Sequence, residues 1–408
     1  MTSSAGPLLD LDITGIAHGG TFIARHEGRV VFVSDAIPGE RVRARLDPSS
    51  TDESRSFWRA ETVEVLEPSE HRRPHVWAEA DVSRDPDDRA GGADLGHIAL
   101  PHQRTLKKQV LAEALDRFAG GGIEAPEIEA VDSGDGTGWR TRVSLHVDDD
   151  GIVGPYAARS HRVIPVSSHP LARPAVAQAA LALQGGKPGR IDLVEPGDGR
   201  VRIIRHEDSG RMPQRGRRRD PEVVYETVGD RRFQVDAGGF WQVHPRAASV
   251  LDAAVYGVLD GHVDEASTHY DLYGGVGLFA ATLGDLGATD VVTVESSKRA
   301  TAHASENLSS IDATAVTARV DRYLASLPSN ANAGAVVLDP PRAGAGRAVV
   351  DALHALAPDA IAYVACDPVA LSRDLGTFRG HGWTVSTLRA FDLFPHSHHF
   401  EVVALLTR

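Results

Sequence analysis

Apolar positions along the chain change their period from one region to the next, and the changes divide it. Up to residue 68 they fall in short β-branched runs, Arg29–Val33, Arg41–Leu46 and Arg59–Leu66, broken by Gly-Ile-Ala-His-Gly-Gly and Asp-Ala-Ile-Pro-Gly-Glu. Such runs read as half-buried strands, and the glycine- and proline-bearing breaks as turns. Their spacing predicts a small barrel of the OB type, a fold that binds nucleic acid or serves only as a packing module.

Residues 69–100 show no period. A helix is predicted over Gln103–Phe118, where Leu106, Val110, Leu111, Ala114 and Leu115 share one face. Trp139–Val166 alternates like a hairpin turning at Asp148–Gly151, and a second hairpin is predicted from Arg200–Arg205 and Val223–Val228. The arginine-rich Arg211–Asp220 between them is too polar for a core. It reads as a solvated loop or as a phosphate-gripping finger.

From about Ala237 strands and helices alternate, the pattern of a parallel sheet covered on both faces. The predicted strands are Ser267–Tyr273, Asp290–Glu295, Ala313–Arg319, Ala333–Asp339 and Ala360–Cys366. Each is followed by a helix except the third, whose link Val320–Pro328 is short. The last pair, Trp383–Phe394 and His399–Arg408, has too short a link for a parallel crossover and must be antiparallel. The resulting expectation is an α/β, Rossmann-like sheet of the class I methyltransferase type with a terminal antiparallel hairpin. It divides the chain into a barrel (1–68), a central α+β domain (69–236) and a catalytic domain (237–408).

Bulk properties narrow the classes. With 408 residues the chain exceeds one core, and its composition, 42 % hydrophobic and 24 % charged, is that of a globular protein. The net charge of −13 argues against a general nucleic-acid coat but leaves room for local basic faces. No apolar run approaches a membrane span, and the N-terminus lacks a charged-then-apolar leader. A single cysteine precludes an intrachain disulfide and fits a reducing cytoplasm. A monomer is the default expectation.

Chemistry concentrates in the last third. Asp271–Ala280 places Gly275 and Gly277 between a strand and its helix, where glycine lets backbone approach a ligand at a helix N-terminus. Glu295 ends the next strand, where a carboxylate can take both hydroxyls of a ribose. The same spacing satisfies the dinucleotide fingerprint, so the loop alone leaves both a nicotinamide and S-adenosylmethionine open. Asp339-Pro340-Pro341-Arg342 favours the methyl donor, because such a loop faces donor and target base in methyltransferases. Cys366 ends the fifth strand and Glu401 begins the last. Methylating carbon 5 of uracil needs a thiolate adding at carbon 6, a base to remove the carbon 5 proton, and a methyl donor alongside. His396, His398 and His399 share one short link without a cysteine or acid at ligand spacing, so no metal site is expected. Phe240 and Trp241 either stack on a ring or pack in the core.

At these residues the chain resembles the RNA 5-methyluridine (uracil-C5) methyltransferase family. The resemblance rests on Gly239–Pro245, Asp271–Phe279, Glu295, Leu338–Gly344, Tyr363–Pro368 with its Arg-Asp-Leu sequel, and Phe394–Leu406. It implies a TRAM module at residues 1–68, an RNA substrate (ribosomal ahead of transfer RNA), and S-adenosylmethionine as cofactor. It also implies Cys366 as nucleophile, Glu401 as base, and Gln242, Tyr273, Glu295, Asp321 and Asp339 lining the cofactor site. Many relatives hold an iron–sulfur cluster on four cysteines; here Gly91–Ile98 and His169–Ala172 keep the surroundings without any, so no such cluster is expected. Asp367 replaces a usual asparagine, and a carboxylate there opposes thiolate formation unless it points away. Gly274 stands where relatives often have cysteine, and Leu278 where some have asparagine. The alternatives are a non-catalytic RNA-binding or ribosome-assembly factor and an NAD(P)-dependent oxidoreductase.

Overall fold

The computed structural model describes residues 6–50, 55–207 and 220–408; Arg211–Asp220 lies outside them except for Asp220. The first five strands, β1 (Leu8–Ala17), β2 (Thr21–His26), β3 (Arg29–Ser34), β4 (Arg41–Leu46) and β5 (Phe57–Glu67), close a barrel in the order β1-β2-β3-β5-β4. Two of these strands, β1 and β2, precede the three that alternation predicts. Leu11, Ile13, Phe22, Val31 and Val42 fill the barrel, and Leu95, Ile98 and Leu106 join the same core from outside it. The barrel is therefore packed onto the rest of the chain through apolar contact, which is stronger than a polar domain boundary.

Helix α1 (Leu100–Phe118) follows, with strand β6 (Ile128–Ala130) after it. The central sheet comprises β7 (Arg142–Val147), β8 (Val153–Gly154), β9 (Gly189–Val194) and β10 (Arg202–Glu207), with α2 (Pro174–Leu181) beside it. The β7–β8 hairpin forms as alternation predicts. The second hairpin does not: β10 pairs with β9, while β11 (Val223–Val228) pairs with β12 (Arg231–Asp236). Alternation identifies strands but carries no partner information, and here each strand found a partner nearer in sequence.

The large sheet holds eight strands in the order β15-β14-β13-β16-β17-β19-β18-β6. Its elements are α3 (Ala247–Leu259), β13 (His269–Leu272), α4 (Leu278–Asp285), β14 (Val291–Glu295), α5 (Lys298–Asn307), β15 (Ala313–Thr317), α6 (Val320–Ser326), β16 (Ala335–Leu338), α7 (Arg347–Leu356), β17 (Ala360–Ala365), α8 (Pro368–Gly380), β18 (Thr384–Asp392) and β19 (Glu401–Thr407). β13 to β17 run parallel, and β19 returns antiparallel beside both β17 and β18, as the short link requires. All residues of β13, β16 and β17 are buried, the mark of strands covered on both faces. The third crossover, expected to lack a helix, carries the seven-residue α6: the link is short, yet two turns fit.

The sheet also reaches outside the C-terminal segment. β6 adds to its edge parallel to β18, and α1 packs on α8. Lys107 of α1 donates to Asp392 at 2.6 Å and to the Phe394 carbonyl at 3.1 Å, with both charged side chains 1 % exposed. Among the described residues no helix is long and apolar enough to cross a membrane.

Candidate active site

The C-terminal ends of the five parallel strands and the start of β19 meet at one edge, where open α/β sheets bind ligands. A cleft of about 1190 Å³ opens there. Gln242, Tyr273, Gly275, Glu295, Asp321, Asp339, Cys366 and Glu401 all line it, and Gly277 sits behind the wall.

Strand register brings Cys366 and Glu401 together. β17 and β19 pair up to Ala365 opposite Val402, so Cys366 and Glu401 stand at the same end of the ladder and line the same cleft. Burial pushes the Cys366 thiol up to about 12; Glu401, Asp339 and Asp367 add to the rise and Arg342 opposes it. Burial, then Asp339, also holds the Glu401 carboxyl well above the usual range, and that side chain is 6 % exposed. Asp339 is raised to about 7 by burial and by Asp271. Three acidic groups thus share one desolvated corner, where no two of them ionise easily at once.

The glycine loop forms the opposite wall. Tyr273, a bulky residue at φ 65°, turns the chain off β13 in the left-handed region, a strained conformation that clusters at ligand sites. Gly275 follows at φ 55°, and a Cβ there would have no protein atom within 4 Å, so the backbone is bare toward the cleft. Glu295 accepts from Gly275 N at 3.3 Å and from Ser297 N at 2.6 Å, tying the acid to the loop. Gly277, at φ 94°, begins α4 and packs against Leu308. Gly274 is not replaceable by cysteine without movement, since a Cβ would collide with Thr293 Oγ1. Leu278 is buried behind the loop rather than on the cleft wall.

Asp374, from the Arg-Asp-Leu sequel on α8, secures the Asp-Pro-Pro-Arg loop. Its carboxylate accepts from Ala345 N at 2.7 Å, Gly346 N at 3.2 Å and the Tyr363 hydroxyl at 2.7 Å. Asp367, the departure beside Cys366, is the N-cap of α8, accepting from Val369 N at 3.0 Å and Ala370 N at 2.8 Å. Aspartate and asparagine cap equally well, which accounts for the exchange in structural terms. Asp321 is engaged by Arg319 at 2.9 and 3.0 Å.

Sequence reasoning gave no role to Asp94 or Arg140, which also line the cleft. Asp94, from the irregular segment, holds His398 at 2.7 Å. His399 lies 3.4 Å from Arg342, and burial lowers it to about 3. His396 turns away to Gln103 and the Asp135 carbonyl, so the three histidines serve separate partners. Among the described residues no group of three or more candidate ligands is placed to hold a metal. Phe240 stands 77 % exposed on the cleft wall, whereas Trp241 packs against Phe233. Arg140 and Arg342 line the cleft with no carboxylate in salt-bridge range among the described residues. A second groove of about 1100 Å³, between barrel and central sheet, shares Gly92, Asp94 and His398 with the cleft.

The residues present do not fit an iron–sulfur cluster. The sole cysteine lies in the cleft, and around Gly91 and His169 a cavity of about 360 Å³ is bordered by Trp77, Pro170, Leu171 and Ala172 and offers no thiolate. Nearby, Glu79 accepts from Ser167 N and Oγ at 2.6 Å each.

Residues 318–408 match the family model described as tRNA (Uracil-5-)-methyltransferase, and residues 5–51 match the TRAM domain. A protein of Streptomyces avermitilis described as an uncharacterized RNA methyltransferase is 40 % identical, with 98 % of each chain covered. The 23S rRNA (uracil(1939)-C(5))-methyltransferase RlmD of Shewanella denitrificans is 26 % identical over 98 % of this chain and 96 % of its own. The crystal structure of Pyrococcus abyssi tRNA (uracil-54, C5)-methyltransferase in complex with S-adenosyl-L-homocysteine shares the fold, with a TM-score of 0.71 at 20 % identity, covering 98 % of this chain and 100 % of that one. On its full-length relatives, its two domain models and the cleft they enclose, the chain belongs to the RNA uracil-C5 methyltransferase family with an N-terminal TRAM domain.

Proposed function

We propose that this protein methylates carbon 5 of a uridine in RNA through a transient bond between Cys366 and the base. The observation that carries the reading is that the only thiol of the chain and the buried Glu401 carboxyl line one cleft at the same end of the β17–β19 ladder, close enough for the carboxyl to act on the thiol. Cys366 Sγ loses its proton to solvent and adds to carbon 6, and the electron pair of the carbon 5–carbon 6 double bond moves into an enolate. Carbon 5 then takes the methyl group. Glu401 removes the carbon 5 proton, the double bond re-forms, and the thiolate leaves. S-adenosylmethionine, when bound, supplies an electrophilic methyl group and a positive charge. Gln242, Tyr273, Gly275, Glu295 and Asp339 would hold it, with Asp321 restrained by Arg319 at the margin. The bare backbone at Gly275 and the acid tied to it fit such a ligand.

Phe240, exposed beside Gln242, offers a face on which the uracil can stack, and the barrel–central groove offers a track leading to the cleft. The full-length similarity to RlmD supports ribosomal RNA as the substrate. Incubation with cofactor and 5-fluorouridine-containing RNA should yield a covalent complex, because fluorine at carbon 5 cannot leave as a proton. Cys366→Ser should form none. RNA binding without an adduct would refute the scheme in favour of a non-catalytic role. Mass-spectrometric mapping of 5-methyluridine in ribosomal and transfer RNA from cells lacking the protein tests the substrate.

A further inference from the structure

The turn between β1 and β2 of the barrel, His18-Gly19-Gly20, docks on the rim of the catalytic cleft. Gly20 lies so close that a Cβ would stand 3.0 Å from His398 Cβ and 3.2 Å from Asp94 Cβ, and its φ of 73° also favours glycine. His18 Nε2 then sits 3.1 Å from Asp367 Oδ2. The other oxygen, Oδ1, caps α8. One carboxylate is thus gripped by the catalytic helix at one oxygen and by the barrel at the other, and its neighbour in the chain is Cys366.

We propose that His18 is a positioning residue for methyl transfer: it counters and orients the Asp367 carboxylate, so that reactivity of the Cys366 thiol depends on the barrel being docked. This rests on the reading of Cys366 as nucleophile. The aspartate is tolerated because its charge is shared with a cap and a histidine, and it ranks last among the influences on the thiol. The charged groups facing Cys366 are Glu401 from β19, Asp339 and Arg342 from the loop after β16, and Asp367; Asp367 in turn faces His18.

Because the chain has one cysteine, iodoacetamide alkylation of the full-length protein reads this thiol without any RNA. The pair is partly exposed, so His18→Ala should slow alkylation by about two- to fivefold at low salt and move the pH–rate curve to higher pH. The effect should shrink as salt rises. His18→Gln, which keeps an N–H donor toward Asp367 Oδ2, should restore the native profile. In an Asp367→Asn background, His18→Ala should change nothing. A merely structural docking role predicts the same loss in both backgrounds, and that result, or an unchanged rate in His18→Ala, would overturn the proposal. If no RNA is methylated by the native protein while this cycle holds, the proposed function fails and the coupling stands.

Discussion

Iodoacetamide should label Cys366 in the ligand-free protein about fifty-fold more slowly than it labels an unburied thiol. The thiol is raised from 9.0 to about 12. Below pH 9 its thiolate fraction is therefore smaller by about 10³. A more basic thiolate is also a better nucleophile, and a Brønsted slope of about 0.45 over three units returns roughly twenty-fold, leaving the net factor of about fifty. Intact-mass spectrometry over pH 7 to 10 measures it directly. The logarithm of the rate should climb by one per pH unit across the whole range without levelling. Glu401→Gln, which removes the largest cause after burial, should raise the rate, and Arg342→Gln should lower it. A plateau at or below pH 9, or a Glu401→Gln variant that labels like the native protein, would refute the assignment of a desolvated thiol opposed by its neighbour carboxyl.

The other predictions concern stability and RNA. Lys107→Ala leaves the buried Asp392 carboxylate with only Arg104, 3.9 Å away, at a cost of about 3 kcal/mol in urea denaturation, whereas the apolar pair Lys107→Met with Asp392→Leu should recover most of it. Asp271 is fully buried and raised from 3.8 to about 7, so the folded protein keeps a proton that the unfolded chain has released. Its contribution is therefore complete below about pH 4 and lost as pH rises through about 7, and Asp271→Asn should flatten this slope in denaturation curves at pH 4.5 and 8. Arg140→Gln should weaken RNA binding and reduce its salt slope by about 1 while leaving S-adenosylhomocysteine affinity unchanged in calorimetry; an unaltered slope would show that this guanidinium meets no phosphate.

Much of this molecule is local. β16 and β17, Ala335–Leu338 and Ala360–Ala365, are apolar at every position, the pattern of strands covered on both faces. Gly275, Glu295, Cys366 and Glu401 were legible as cleft residues because each stands at or just past the end of a strand, and these ends share one edge. The antiparallel return of β19 followed from a link too short for anything else.

What the chain alone left open depended on contacts between segments distant in sequence. β6 and Lys107 join the catalytic sheet from the middle of the chain because a strand edge and a buried carboxylate needed partners, and neither need leaves a periodic trace. Asp367 beside the cysteine looked like an obstacle; its side chain is spent on a helix cap and on His18, some 350 residues earlier in the chain. Residue types and their order determined the sheet, its ligand edge and the side chains available for the chemistry proposed there. Which groups tune that chemistry was decided by tertiary structure, because burial and charge act through space.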